Sequence, residues 1–130
     1  MKKIILPLVL ALSLVGCKTQ KKDVTEVDPM RFSESITSSE LSDYLYTLSS
    51  DEFEGRETGE PGQKKAAEFL KNFYESLGIN SPLGNGDYFQ DIPSSFFNDK
   101  LPDSENVVAF IEGDGSTNEV LVLSAHYDHV

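Results

Sequence analysis

Tryptophan is missing from this chain of 130 residues, cysteine occurs once, and histidine occurs only at positions 126 and 129. One cysteine excludes an intrachain disulfide among these residues, so the fold must hold on packing and hydrogen bonds. Basic side chains are also scarce. Eleven Lys and Arg stand against 22 Asp and Glu, giving a formal charge of −11. That balance argues against nucleic acid as a partner and for solubility. The longest apolar run, Ile4 to Val15, falls short of the roughly 20 residues a membrane-spanning helix needs. The length allows one domain at most.

The N-terminus does carry a pattern. Met1-Lys2-Lys3 is basic, the short apolar run follows, and Leu14-Val15-Gly16-Cys17 closes it. A basic start, a brief apolar stretch and small residues at its end make a secretory signal rather than a transmembrane helix. Leu-Val-Gly-Cys resembles the lipobox of bacterial lipoproteins, where the chain is cut before the cysteine and the thiol is acylated. An ordinary signal peptide followed by a chance cysteine is the alternative. The resemblance implies that residues 1–16 are removed and that Cys17 is lipidated. The protein would then lie outside the cytoplasm in the cell envelope, tethered to a membrane and not embedded in it. Each buried acyl methylene adds about 0.8 kcal/mol to such an anchor. Loss of Lys2 and Lys3 takes the formal charge to −13.

Residues 17–36 are polar, contain Pro29 and show no sustained periodicity, which predicts a flexible tether. Order is predicted from Thr37. Thr37 and Glu40 have capping-box spacing, and Leu41, Tyr44, Leu45 and Leu48 follow as one helical stripe that should pack inward. A second helix is predicted between Pro61, suited to a first turn, and Gly78, suited to a stop. Ala66, Phe69, Leu70, Phe73 and Leu77 form its apolar face, as in an amphipathic helix covering a core.

Three extended segments come next. "DYFQDI" (87–92) reads as an edge strand, while "NVVAFIEG" (106–113) and "EVLVLSA" (119–125) read as strands joined by a Gly-containing hairpin loop. A run as apolar as Val120–Leu123 predicts a strand covered on both faces, as in an α/β sheet. Two or three strands cannot bury such runs on both sides, so more sheet is required than these residues supply.

The stretch that could do chemistry is "SAHYDHV" (124–130). His126 follows the apolar run at its carboxyl end, where ligands bind in open α/β sheets. In extended chain His126 and Asp128 share a face, with Tyr127 opposite. A carboxylate so placed can accept the free ring N–H of a metal-binding histidine and fix its tautomer. A histidine held by a neighbouring aspartate for structural reasons is an equally simple reading of the spacing alone. Ser124 lacks a Gly-x-Ser-x-Gly elbow, and Gly55, Gly59 and Gly62 lack the context of a phosphate loop.

A wider set of marks runs through the chain: Glu54-Gly55-Arg56, Thr58-Gly59 and Pro61-Gly62 leading into a helix, Leu77-Gly78-Ile79, Gln90, and His126-Tyr127-Asp128-His129. In this order they resemble the opening of the zinc aminopeptidases of metallopeptidase family twenty-eight, which include aminopeptidase Y-type and bacterial secreted enzymes. The likeness covers residues 37–130.

The resemblance implies an α/β domain of phosphorylase/hydrolase-like type, a mixed sheet flanked by helices, of which this chain is the N-terminal part. It implies two zinc ions in the complete enzyme, His126 as a metal ligand, Asp128 as its orienter, and a peptide substrate cleaved at its free amino end. Glu54 and Arg56 would chiefly pin the loop before the second helix, and His129 would not be a ligand. The general base and the other ligands of that family have no counterpart before Val130, so this chain alone is expected to be inactive. A related single-zinc reading is a glutaminyl-cyclase-like acyltransferase. A reading of another class is a non-catalytic lipoprotein, a binding module or degenerate remnant, whose histidines are structural.

Overall fold

The computed structural model describes residues 27–129, which fall into two units, residues 27–35 and residues 36–129. Cys17 and the proposed signal segment lie outside the described residues, as does most of the predicted tether. The first unit differs from a featureless tether. It holds a five-residue helix α1, Pro29–Ser33, begun by Asp28, whose side chain accepts the Met30 N–H at 2.9 Å. Proline supplies the helical φ at the first position. None of its residues is buried.

The second unit begins where the capping box lies. Helix α2 spans Ser38–Leu48; the Thr37 hydroxyl accepts the Glu40 N–H at 3.2 Å while the Glu40 carboxylate accepts the Thr37 N–H at 3.3 Å. The predicted inward stripe is only partly realised. Tyr44 meets Phe73 edge-on at 5.3 Å, yet no residue of α2 is buried and Leu45 is 66% exposed. The stripe has helical spacing, but among the described residues only a narrow surface faces it.

After α2 the chain makes a 3-10 segment, Asp51–Arg56, kinked by left-handed backbone at Glu54 and Gly55. It buries Phe53 against helix α3, Pro61–Ser76. Small residues on α3 make this possible. Gly62, Ala66 and Ala67 are buried, and a Cβ on Gly62 would sit on the Phe53 carbonyl oxygen and 2.8 Å from its carbon. Phe69 adds an edge-on contact to Phe53 at 6.1 Å. Farther along, Leu77 is exposed, so the predicted face of α3 is buried in its first half and open at its end. Gly78 ends the helix with a positive φ, as its position predicts.

Two short antiparallel strands complete the unit. Strand β1, Phe89–Ile92, pairs with β2, Ser104–Val107, in the register Phe89↔Val107 to Ile92↔Ser104. Tyr88, which precedes β1, is buried, and its hydroxyl donates to the Ile79 carbonyl at 2.6 Å, tying the sheet to the exit of α3. Helices with a small antiparallel sheet make the described residues a mixed α and β arrangement. None of their helices is long and apolar enough to cross a membrane.

The two downstream strand predictions require correction. The segment 106–113 is strand only to Val107, with one further bridge between Phe110 and Asn80. The segment 119–125 is not a strand, the hairpin is not formed, and Val120–Leu123 are 70–88% exposed. The cause is partnership, not propensity. An extended run becomes a strand only when a neighbour accepts its backbone hydrogen bonds, and none of the described residues does so here.

Candidate functional site

The segment 127–129 is fastened to the 3-10 segment and to α3. Arg56 makes both attachments to the backbone of the segment. Its Nε donates to the Tyr127 carbonyl at 3.0 Å, another guanidinium nitrogen donates to the Leu48 carbonyl, and its own carbonyl accepts the His129 N–H at 2.9 Å. One residue thereby joins the end of α2, the kinked loop and the His-Tyr-Asp-His motif. Its φ of +64° turns carbonyl and side chain towards the same segment. That backbone conformation is costly for a residue with a side chain and is held by these bonds.

Tyr127 faces inward. Its hydroxyl donates to the Glu105 carbonyl at 2.6 Å and accepts from the Gln63 amide. Gln63 is only 1% exposed, and its Oε1 accepts the Gly59 N–H at 3.3 Å. Lys64 pairs with the Glu105 carboxylate and donates to the Asp103 carbonyl at 2.9 Å. Among the described residues no buried side-chain polar atom lacks a partner. Burial, and then the nearby Glu105 carboxylate, push the Tyr127 phenol well above its usual range. It stays protonated and serves as a structural donor.

On the opposite side of the extended chain, His126 and Asp128 meet: Nδ1 of the ring lies 3.0 Å from Asp128 Oδ1. The second carboxylate oxygen accepts the Thr58 hydroxyl at 2.6 Å. The Thr58 hydroxyl, and then the His126 ring, hold the Asp128 carboxyl below its ordinary value of 3.8. An ionised carboxylate only accepts hydrogen bonds, so the proton between the pair resides on Nδ1. The neutral ring then carries its lone pair on Nε2. The His126 side chain is 94% exposed, and Nε2 has no protein partner among the described residues.

The loop that carries Thr58 is closely fitted. Gly59 has φ +80°, and a Cβ there would come within 2.9 Å of Pro102 Cβ. Only glycine tolerates both the backbone and the approach. Glu54, unlike Arg56, lies away from the motif and pairs with Lys65 at 3.3 Å. His129 contributes its backbone N–H to Arg56. Gln90 lies in β1, where its side-chain oxygen accepts from Asn106 at 3.0 Å.

His126 and Asp128 are therefore together, Thr58 joins them, and Gln63 and Glu105 hold Tyr127 on the other side of the chain; spacing alone singles out none of these last three partners. Thr58 and Asp128 are 70 positions apart, too far for any local pattern to connect. A zinc ion at His126 would find one imidazole with an orienting carboxylate. Among the described residues no three His, Cys, Asp or Glu side chains are grouped to hold a metal. The residues present thus fit one ligand of a metal site and not a whole one, since catalytic zinc takes about three protein ligands. No protein-family model, curated protein or solved structure matches the chain.

Proposed function

We propose that the chain is the N-terminal part of a membrane-tethered zinc aminopeptidase, in which His126 supplies one metal ligand and Asp128 orients it. The observation that carries this reading is the contact between His126 Nδ1 and Asp128 Oδ1 at 3.0 Å on a ring otherwise open to solvent. A carboxylate on the inner nitrogen raises the basicity of the outer one and fixes its direction. Zinc, when bound, polarises the scissile carbonyl and activates a water. The part of this chain is to present Nε2 unprotonated and to hold the ring still. The remaining ligands and the general base are assigned to further polypeptide.

The finer fold belongs to the same proposal: a mixed sheet of phosphorylase/hydrolase-like type flanked by helices. Its support is the exposed run Val120–Leu123, apolar at successive positions and thus on both faces. Lipidation at Cys17 and an extracytoplasmic location are proposed from the sequence of residues 1–17.

The test is made on protein extracted from its source membrane. Zinc content by mass spectrometry and cleavage of a leucyl peptide are measured for the parent and for H126A. Bound zinc with amino-terminal cleavage, both lost in H126A, supports the reading. A metal-free protein inactive on all peptides overturns it, and cyclisation of an amino-terminal glutamine without cleavage would move the activity to acyl transfer.

A further inference from the structure

Asp128 has two carboxylate oxygens, and both are used. Oδ1 faces the His126 ring, while Oδ2 takes the Thr58 hydroxyl at 2.6 Å, the shorter of the two contacts. Asp128 lies on a segment with no strand pairing, so nothing in a sheet fixes its side chain. Its neighbours are held through Arg56, which binds the Tyr127 carbonyl and the His129 N–H and thereby sets the backbone on either side. The carboxylate's rotation remains to be set, and Thr58 is the one protein group besides His126 that bonds it among the described residues. The loop holding Thr58 is in turn fixed by the tight seat of Gly59 against Pro102 and by Gln63, whose amide oxygen takes the Gly59 N–H.

We infer that Thr58 is a positioning residue: its hydroxyl locks the Asp128 carboxylate with Oδ1 towards His126 Nδ1, which selects the Nδ1–H tautomer and leaves Nε2 as the outward lone pair. The inference deepens the proposed function, and its meaning for metal binding rests on that reading of His126. The selection itself is a property of the protein without metal. The ring of a free histidine in water favours the opposite, Nε2–H tautomer, so the protein has to impose the choice. A threonine that merely anchored its loop would leave the tautomer unaffected.

Long-range ¹⁵N–¹H spectra of the histidine rings, recorded without metal at a pH where they are neutral, separate the two tautomers. The Nδ1–H form should predominate for His126 in the unmodified chain. In T58V, which keeps the shape and loses the donor, the Nδ1–H to Nε2–H ratio should fall by about threefold or more, as expected for loss of one hydrogen bond to a charged group. T58S should restore it. A majority of Nε2–H in the unmodified chain overturns the inference, whether or not T58V folds. So does a T58V ratio equal to the parent's, or a T58S ratio that stays at the T58V level. Because the spectra need no metal, a tautomer shift in a protein whose membrane-extracted form lacks zinc supports the positioning and overturns the metal reading alone.

Discussion

Replacing Gly62 by alanine sets two effects of known sign against each other. Gly62 is the second residue of α3, where the advantage of alanine over glycine is at most the roughly 0.8–1.0 kcal/mol of a helix interior, so propensity alone predicts a gain. The packing opposes it. The new methyl would overlap the Phe53 carbonyl oxygen and lie 2.8 Å from its carbon and 3.0 Å from Glu54 Cβ. Carbon atoms in contact prefer roughly 3.5–4.0 Å, so the 3-10 segment and α3 must part by about 0.7 Å or more. Two of the three obstructing atoms are backbone, which cannot swing aside as a long side chain does. Overpacking of this kind costs about 1–3 kcal/mol, and here the upper part of that range applies. The net expectation is a loss of about 1–2 kcal/mol. With a urea slope of about 1–2 kcal/mol per molar, the unfolding midpoint should drop by about 1 M. The assay is urea unfolding of dilute protein followed by far-ultraviolet circular dichroism, with G113A as control. Gly113 has nothing within 4 Å of a built Cβ, and such a site should change stability by no more than about 0.5 kcal/mol. The displaced segment also carries Arg56, so the His129 amide should exchange faster in G62A than in G113A. A G62A midpoint equal to or above the parent's would refute the packing argument.

Other outcomes follow from the same contacts. R56M removes the donors to the Leu48 and Tyr127 carbonyls and should cost about 2 kcal/mol in the same urea assay; an unchanged midpoint would show the clamp to be idle. Asp128 has a lowered pKa, so its ionisation stabilises the native chain above about 3.8 and that contribution is lost as acid is added through the native value. Its carboxyl ¹³C resonance should titrate below 3.8, and a midpoint at or above that value would contradict the Thr58 and His126 bonds. Calorimetric titration of the chain alone with zinc should show only weak binding through His126, because one imidazole stands without two further ligands; tight stoichiometric uptake would overturn this. Leu121 and Leu123, 86% and 88% exposed, can be changed together to lysine with the urea midpoint kept and solubility raised, and a marked fall in the midpoint would mean that they are packed in solution.

The parts legible in the sequence were those decided within a few residues. Thr37 and Glu40 cap α2 because both atoms of the box lie in one turn. Pro61 and Gly78 bound α3 through their own backbone preferences, and the extended period placed His126 and Asp128 on one side of the chain. What the sequence did not disclose depends on distant partners. Val120–Leu123 have every local mark of a strand, yet strand is a relation between two segments and here no described segment answers. Leu41 and Leu45 have helical spacing and remain exposed for the same reason. The bonding roles of Thr58 and Gln63 escaped, although Thr58-Gly59 stands among the marks of the resemblance, because threonine beside glycine reads as a turn and glutamine within a helix reads as surface. Their tasks are set by Asp128 and Tyr127, more than 60 positions away.

The buried amide of Gln63 has an evolutionary corollary. Its oxygen serves the loop and its nitrogen serves the Tyr127 hydroxyl, so the identity of residue 63 and that of residue 127 are not independent. Phenylalanine at 127 would leave the amide nitrogen only the Glu105 carboxylate at 3.5 Å and would free the Glu105 carbonyl, while leucine at 63 would leave the phenol its bond to that carbonyl but take the acceptor from the Gly59 N–H; either change alone weakens buried polar groups, at about 1–3 kcal/mol for one left unpaired. Made together, the two changes remove both ends of the shared bond, so their combined cost should fall below the sum of the two single costs. Lineages of this protein that lose the tyrosine of the motif should therefore more often be those that have also lost the glutamine, because the second change costs less once the first has been made.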